Sequence, residues 1–70
     1  MSIINIVVQD MSTDHDADAV LRAIHSVPGV TNADVNLEEK IAAVVYDDAA
    51  ATEEDFLNAI QAEGFSATSG

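Results

Sequence analysis

The 70-residue sequence contains no cysteine and no tryptophan, and its two basic residues stand against thirteen acidic ones. Without cysteine the chain forms no disulfide and offers no thiolate to a metal ion, so apolar packing and well-formed turns must hold the fold. A chain of this length makes one domain, residues 1–70, whose hydrophobic core is close to the smallest that folds unaided.

The scarcity of positive charge excludes two classes of partner. The formal net charge is −11, and Arg22 and Lys40 are the only basic residues. Binding to nucleic-acid phosphates or to anionic membranes needs clustered lysine and arginine, so neither partner is expected. The first eight residues lack the basic leader of a signal peptide and are too short an apolar run to span a bilayer. A cytoplasmic location is therefore expected.

Hydrophobic periodicity nevertheless predicts a folded chain, since 49% of its residues are hydrophobic. Alternation over residues 2–9 predicts a first strand. Helical spacing of apolar residues between 17 and 27 predicts a first helix, with Thr13 or Asp14 as its N-cap and Pro28-Gly29 as its stop. Residues 30–37 and 41–46 predict a hairpin of two strands joined by a tight turn.

The last third of the chain predicts a second helix and a short final strand. Thr52-Glu53-Glu54-Asp55 resembles a capping box with aspartate in the place of glutamate. Gly64 stands where a left-handed C-terminal cap is expected, Phe65 and Ala67 begin the strand, and residues 68–70 are expected to fray. The predicted core positions of this helix are Phe56, Ala59, Ile60 and Ala62.

The order βαββαβ with short loops predicts an α+β, ferredoxin-like sandwich: a four-stranded antiparallel sheet with two helices on one face. Strands one and three are then the central neighbours. The sheet face away from the helices would carry an apolar stripe, although open faces are usually polar, and this stripe is a candidate contact surface for a homodimer or a protein partner. Ordinary β-propensity in central strands is the alternative explanation. The stripe consists of Ile3, Val7, Ile41, Ala43 and Val45.

The sequence also resembles a known family, the heavy-metal-associated domain of small copper chaperones and of metal-pumping P-type ATPases. The resemblance covers nearly the whole chain, because a series of short motifs occurs in the family's order and spacing. These motifs are Met11, Val27-Pro28-Gly29-Val30, Val35-x-Leu37, Val44-x-Tyr46-Asp47, Ala59-Ile60 and Gly64-Phe65.

The resemblance fails at the residues that bind metal in that family. The family's loop reads Met-x-Cys-x-x-Cys, and aligning it from Met11 places Thr13 and Asp16 at the two cysteine positions and Asp10 at the preceding glycine. The family's methionine packs beneath the site rather than binding the ion. Copper(I) is a soft cation held by two thiolates, and neither a hydroxyl nor a carboxylate replaces sulfur. Copper transfer is therefore not expected.

A harder metal is a second possibility for the same loop. Carboxylates and imidazole suit zinc, nickel or manganese, and the weak candidate ligands are Asp14, His15 and Asp16. A specific site needs three or four convergent ligands, whereas an acidic first turn also stabilises the helix dipole without any metal. The second explanation is favoured, so no cofactor is expected.

No catalytic constellation stands out. No serine or cysteine nucleophile has a histidine and an acid at a recognisable spacing, and acylphosphatases of this topology need an arginine in a loop that here is acidic. The favoured function is a non-enzymatic binding or protein-interaction module related to heavy-metal transport proteins, degenerate at the metal loop. A carrier of a harder metal and a small-ligand sensor domain are the alternatives.

The net charge of −11 predicts stability that depends on salt, as in the salt-rich cytoplasm of a halophile. Like charges repel in the compact state, and salt screens them. We expect the thermal midpoint, followed by circular dichroism, to rise between low salt and molar KCl. An unchanged midpoint would contradict this expectation.

Overall fold

The computed structural model describes residues 1–69 and confirms the predicted α+β, ferredoxin-like fold. The strands form one antiparallel sheet in the order β2-β3-β1-β4, so that β1 and β3 are central as predicted. No helix within residues 1–69 is long and apolar enough to cross a membrane. The elements are β1 (Ser2–Val8), α1 (Asp14–His25), β2 (Val30–Asn36), β3 (Ile41–Tyr46), α2 (Glu53–Ala62) and β4 (Ala67–Ser69).

The two central strands bury one face and leave the other open. Ile6 and Val8 of β1 and Ala42 and Val44 of β3 have no exposed surface. Successive side chains of a strand point to opposite faces, so these four lie on the face that the helices cover. The same core continues through both helices and the loops beside them. Its other members are Met11, Val20, Ile24, Ala51, Phe56, Ile60 and Ala67.

Aromatic packing joins the sheet to the second helix. The rings of Tyr46 and Phe56 lie with their centroids 4.9 Å apart at 73°, an edge-to-face arrangement. Phe56 is fully buried, and Tyr46 and Phe65 are partly buried against the core. These contacts hold α2 against the end of β3.

Two details of the last third of the chain differ from the sequence-based prediction. Ala62 is exposed, because it follows Ile60 by two residues and therefore points about 200° away from it around the helix. The final strand begins at Ala67 rather than at Phe65, and Thr68 and Ser69 pair with β1 instead of fraying. Residue 70, also expected to fray, lies outside the described residues.

Two glycines adopt the left-handed conformation that ends each helix region. Gly29 has φ +98° and Gly64 has φ +95°, which confirms the predicted cap at Gly64. Their surroundings differ. A Cβ on Gly29 would lie 2.8 Å from the Cβ of Ala50, whereas a Cβ on Gly64 would meet nothing within 4 Å.

This difference predicts that alanine substitutions at Gly29 and Gly64 lower the free energy of unfolding by unequal amounts. Gly64→Ala carries the conformational cost of a left-handed residue, roughly 1–2 kcal/mol. Gly29→Ala carries that cost and an overlap with Ala50, which adds about 1–3 kcal/mol. Urea unfolding of both variants in molar KCl measures the free energies of unfolding. Equal losses would show that the contact between Gly29 and the 49–51 segment is looser than the structure indicates.

Candidate functional site

The loop that connects β1 to α1, residues 9–13, lies at one end of the sheet between two other loops. On one side, the N–H of Val8 donates to the carbonyl of Lys40, in the turn between β2 and β3, at 2.9 Å. On the other side, the N–H of Ser66, between α2 and β4, donates to a carboxylate oxygen of Asp10 at 3.1 Å. Hydrogen bonds therefore hold this loop at Asp10 and the strand end before it at Val8.

Met11 anchors the middle of this loop. Its side chain has no exposed surface and belongs to the core, which agrees with the inward packing implied by the family resemblance. Its backbone carbonyl accepts a hydrogen bond from the ammonium group of Lys40. The only lysine of a strongly acidic chain therefore binds the loop's backbone in this structure.

Thr13 and Asp16 stand at the positions that correspond to the family's cysteines, and the side chain of each accepts a hydrogen bond from the backbone N–H of the other. Thr13 is the N-cap of α1, and its hydroxyl accepts a hydrogen bond from the N–H of Asp16 at 3.2 Å. The Asp16 carboxylate accepts the N–H of Thr13 at 3.3 Å in return. This reciprocal arrangement is a capping box, which satisfies backbone N–H groups that the start of a helix leaves free.

The same carboxylate oxygen also holds Ser12. It accepts the N–H of Ser12 at 3.1 Å and the Ser12 hydroxyl at 3.2 Å. The hydrogen bond from the Ser12 backbone is the largest influence that lowers the pKa of Asp16 below its ordinary value, and the Ser12 hydroxyl and Thr13 add to it. Asp16 therefore stays ionised as a backbone acceptor, with one of its oxygens already taking three donors.

The structure does not bring the predicted hard-metal ligands together into a larger group. Asp14 and His15 are exposed, while Asp16 is turned back toward Ser12 and Thr13. Within residues 1–69, no three histidine, aspartate or glutamate side chains are placed so that they could hold a metal ion. A weak site at Asp14, His15 and Asp16 stays a prediction.

His15 instead lines a shallow groove of about 290 Å³ between the two helices, together with Arg22 and Glu63. The Arg22 guanidinium is bound to Asp18 four residues earlier on the same helix, and this hydrogen bond raises its pKa. Its positive charge is thus largely balanced within α1, and little charge is left to hold an anionic ligand in the groove.

The predicted contact face is assembled across the two central strands. Ile3 pairs with Val45, and Val7 pairs with Ile41, in the register of β1 with β3. Ile3 is 72% exposed, and the other four members of the stripe are partly buried. Asn5, opposite Ala43, interrupts the stripe. The face is therefore a narrow apolar band across the centre of the sheet.

Comparison with known proteins identifies the family. The sequence model of the heavy-metal-associated domain matches residues 6–66. The copper chaperone CopZ of Staphylococcus aureus is 40% identical over 58 residues, which cover 83% of this chain and 85% of that protein. The chain therefore belongs to the heavy-metal-associated domain family, and in it no cysteine stands at the two metal-binding positions.

Solved structures agree with this assignment. A copper-binding domain from HMA7, a P-type ATPase, superposes with a TM-score of 0.97 at 33% identity, covering 100% of this chain and 95% of that chain. A CopZ metallochaperone gives 0.92 at 36% identity, over 96% of this chain and 100% of that one. Oxidized MerP from Ralstonia metallidurans gives 0.94 at 26% identity, over 97% and 94%. The backbone of this chain thus has the same fold as these three proteins.

Two contacts that hold the loop in place are not among the predictions from the sequence. The capping box at Thr13 has the same Thr-x-x-Asp spacing that was recognised at Thr52, where Asp55 accepts the N–H of Thr52 at 3.0 Å, so the signal was present. Lys40 and Met11 are 29 positions apart in the sequence, so no local sequence pattern predicts their contact.

The capping box predicts two destabilised variants. Thr13→Ala removes the acceptor for the Asp16 N–H and should lower the free energy of unfolding by about 1 kcal/mol. Asp16→Ala should also destabilise the protein at pH 7. Folding lowers the pKa of Asp16. The Asp16 carboxylate therefore makes its full contribution to the free energy of unfolding above the ordinary aspartate pKa of about 3.9, and this contribution is lost as the pH falls through the lowered pKa of the folded state.

Urea unfolding in molar KCl at pH 7 and at pH 3 measures both effects. Asp14→Ala is the matched control, since it removes a carboxylate from the same helical turn without removing the bonds to Ser12 and Thr13. We expect a larger loss at pH 7 for Asp16→Ala than for the control, and a smaller difference at pH 3. Equal losses at pH 7 would mean that only the helix dipole matters.

Proposed function

We propose that this protein is a non-enzymatic member of the heavy-metal-associated domain family that works without a metal, as a protein-interaction module related to heavy-metal transport. The observation that carries the proposal is the mutual binding of Thr13 and Asp16, at 3.2 and 3.3 Å, in the two family positions for thiolates. Groups already bound to the backbone are poor ligands, because a metal ion would first have to displace those hydrogen bonds.

The donor chemistry supports the same conclusion for copper(I). The loop presents hydroxyl, carboxylate and amide groups, and a soft cation prefers thiolate or thioether sulfur. The nearest sulfur belongs to Met11, whose side chain is fully buried. This loop therefore offers copper(I) no accessible sulfur ligand.

The contact surface in this proposal is the open sheet face formed by Ile3, Val7, Ile41, Ala43 and Val45. Exposed apolar surface between polar edges is typical of protein contacts. The chain's net charge of −11 disfavours nucleic acid as the partner of this face. We place this activity in the cytoplasm, where salt can screen the acidic surface.

A metal titration followed by amide chemical shifts tests the proposal. We expect zinc, nickel, manganese and copper(I), added separately to the wild-type protein in molar KCl, to leave residues 10–18 without saturable shifts. Saturable changes confined to those residues at micromolar concentration would overturn the proposal and favour the alternative, a carrier of a harder metal through Asp14, His15 and Asp16.

A double variant provides the positive control. Thr13→Cys/Asp16→Cys replaces the capping box with the family's two thiols on an otherwise unchanged backbone. We expect this variant to bind copper(I) and to show shifts at residues 10–18. If the double variant folds but binds no copper(I), the loss of metal binding has a cause outside these two positions.

A further inference from the structure

One peptide unit in the loop between β1 and α1 is bound on both sides by charged side chains. Its carbonyl group belongs to Met11 and accepts a hydrogen bond from the ammonium group of Lys40. Its N–H belongs to Ser12 and donates to the carboxylate of Asp16 at 3.1 Å. The C=O and N–H of a trans peptide unit point in opposite directions, so the two charged groups approach it from opposite sides.

The signs of these two charges match the dipole of the peptide unit. The carbonyl oxygen carries partial negative charge and faces the ammonium group, while the amide hydrogen carries partial positive charge and faces the carboxylate. Hydrogen bonds to ionised groups are stronger than those between neutral groups, and hydrogen bonds in a chain polarise one another. The contact of Lys40 with the carbonyl therefore makes the Ser12 N–H a better donor to Asp16.

The backbone conformation of Lys40 indicates a specific need for this side chain. Its φ of 59° lies in the left-handed region, and no other non-glycine residue within residues 1–69 has a positive φ. Glycine adopts this conformation at lower cost. A residue held in such a conformation is grounds for a hypothesis of function, and the ammonium group on the Met11 carbonyl is the contact that a glycine could not make.

The backbone of Lys40 is also bound to the strand that precedes the loop. Its carbonyl accepts the N–H of Val8 at 2.9 Å, and the carbonyl of Val8 accepts the N–H of Met11 at 3.4 Å. Together with the ammonium group on the Met11 carbonyl, these bonds close a ring of three contacts. One residue of the β2–β3 turn therefore holds the chain both before the loop and in its middle.

We propose that Lys40 and Asp16 clamp the loop by acting from opposite sides on the peptide unit between Met11 and Ser12. This peptide clamp joins the β2–β3 turn to the first turn of α1 across the loop. The inference rests on the proposed metal-free function and adds the device that keeps the loop closed: two opposite charges of the chain itself.

Removal of the ammonium group tests the peptide clamp. Lys40→Met keeps a long side chain without a donor, and we expect amide hydrogen exchange at Ser12 in molar KCl to become about tenfold faster, because a hydrogen bond from a charged group is lost. The Ser12 amide proton resonance should also move upfield, since its bond to Asp16 weakens. Lys40→Arg keeps a cationic donor and should retain most of the protection. Wild-type exchange at Ser12 in Lys40→Met would overturn the proposal.

Lys40→Gly separates the peptide clamp from the stability of the hairpin. Glycine relieves the left-handed backbone, so this variant should unfold at a higher urea concentration than Lys40→Met. The peptide clamp predicts that its Ser12 amide nevertheless exchanges as fast as that of Lys40→Met. Wild-type protection of Ser12 in Lys40→Gly would show that the hairpin backbone alone orders the loop, which contradicts the proposal.

Arg22→Met is the matched control for charge. It removes the other basic residue of the chain and changes the net charge by the same amount. The Arg22 guanidinium binds Asp18 within α1, so we expect exchange at Ser12 to keep its wild-type rate. An acceleration equal to that in Lys40→Met would assign the effect to net charge and would overturn the peptide clamp.

A double-mutant cycle with Asp16→Ala measures the coupling between the two charges. If both act on one peptide unit, Lys40→Met should accelerate Ser12 exchange less in the Asp16→Ala background than in the wild type, by a factor of about two or more. Equal accelerations in the two backgrounds would overturn the proposal. That result would leave the metal titration unchanged, so failure of the peptide clamp and failure of the metal-free function are distinguishable.

Discussion

The first turn of α1 is fixed by hydrogen bonds that cross between Thr13 and Asp16, and the loop before it takes its shape from them. At the start of a helix, the side chain of the N-cap residue and that of the residue three positions later lie close together. In the loop pattern that the family resemblance supplied, this spacing separates two cysteines. Here it brings a hydroxyl and a carboxylate to backbone N–H groups. In this chain the two positions thus form a helix cap.

The rest of the domain supports this loop from three directions. Met11 lies in the core beneath it, Lys40 binds its backbone from the β2–β3 turn, and Asp10 holds the loop before β4. These contacts come from parts of the chain far apart in sequence, and the sheet order β2-β3-β1-β4 brings them together. The loop is therefore held on three sides by the chain's own residues.

The sequence predicted most of the fold because its signals are local. Alternation gave β1 and β3, and Thr13, Thr52 and Gly64 marked the helix ends. The limits of β4 depend on pairing with Val8, a contact between distant segments, and were placed two residues early. The absence of thiolate ligands followed from composition alone. The contact of Lys40 with Met11, 29 positions apart, required the three-dimensional structure.

We infer that side-chain hydrogen bonds, and not a metal ion, order the loop. Backbone ¹⁵N relaxation of residues 10–16 tests it most directly, in protein freed of metal by a chelator and again after addition of zinc or copper(I). We expect order parameters near the rigid-backbone value of about 0.85 in both states, equal to those of β1. Low order parameters in the metal-free protein that rise on addition of either metal would contradict it.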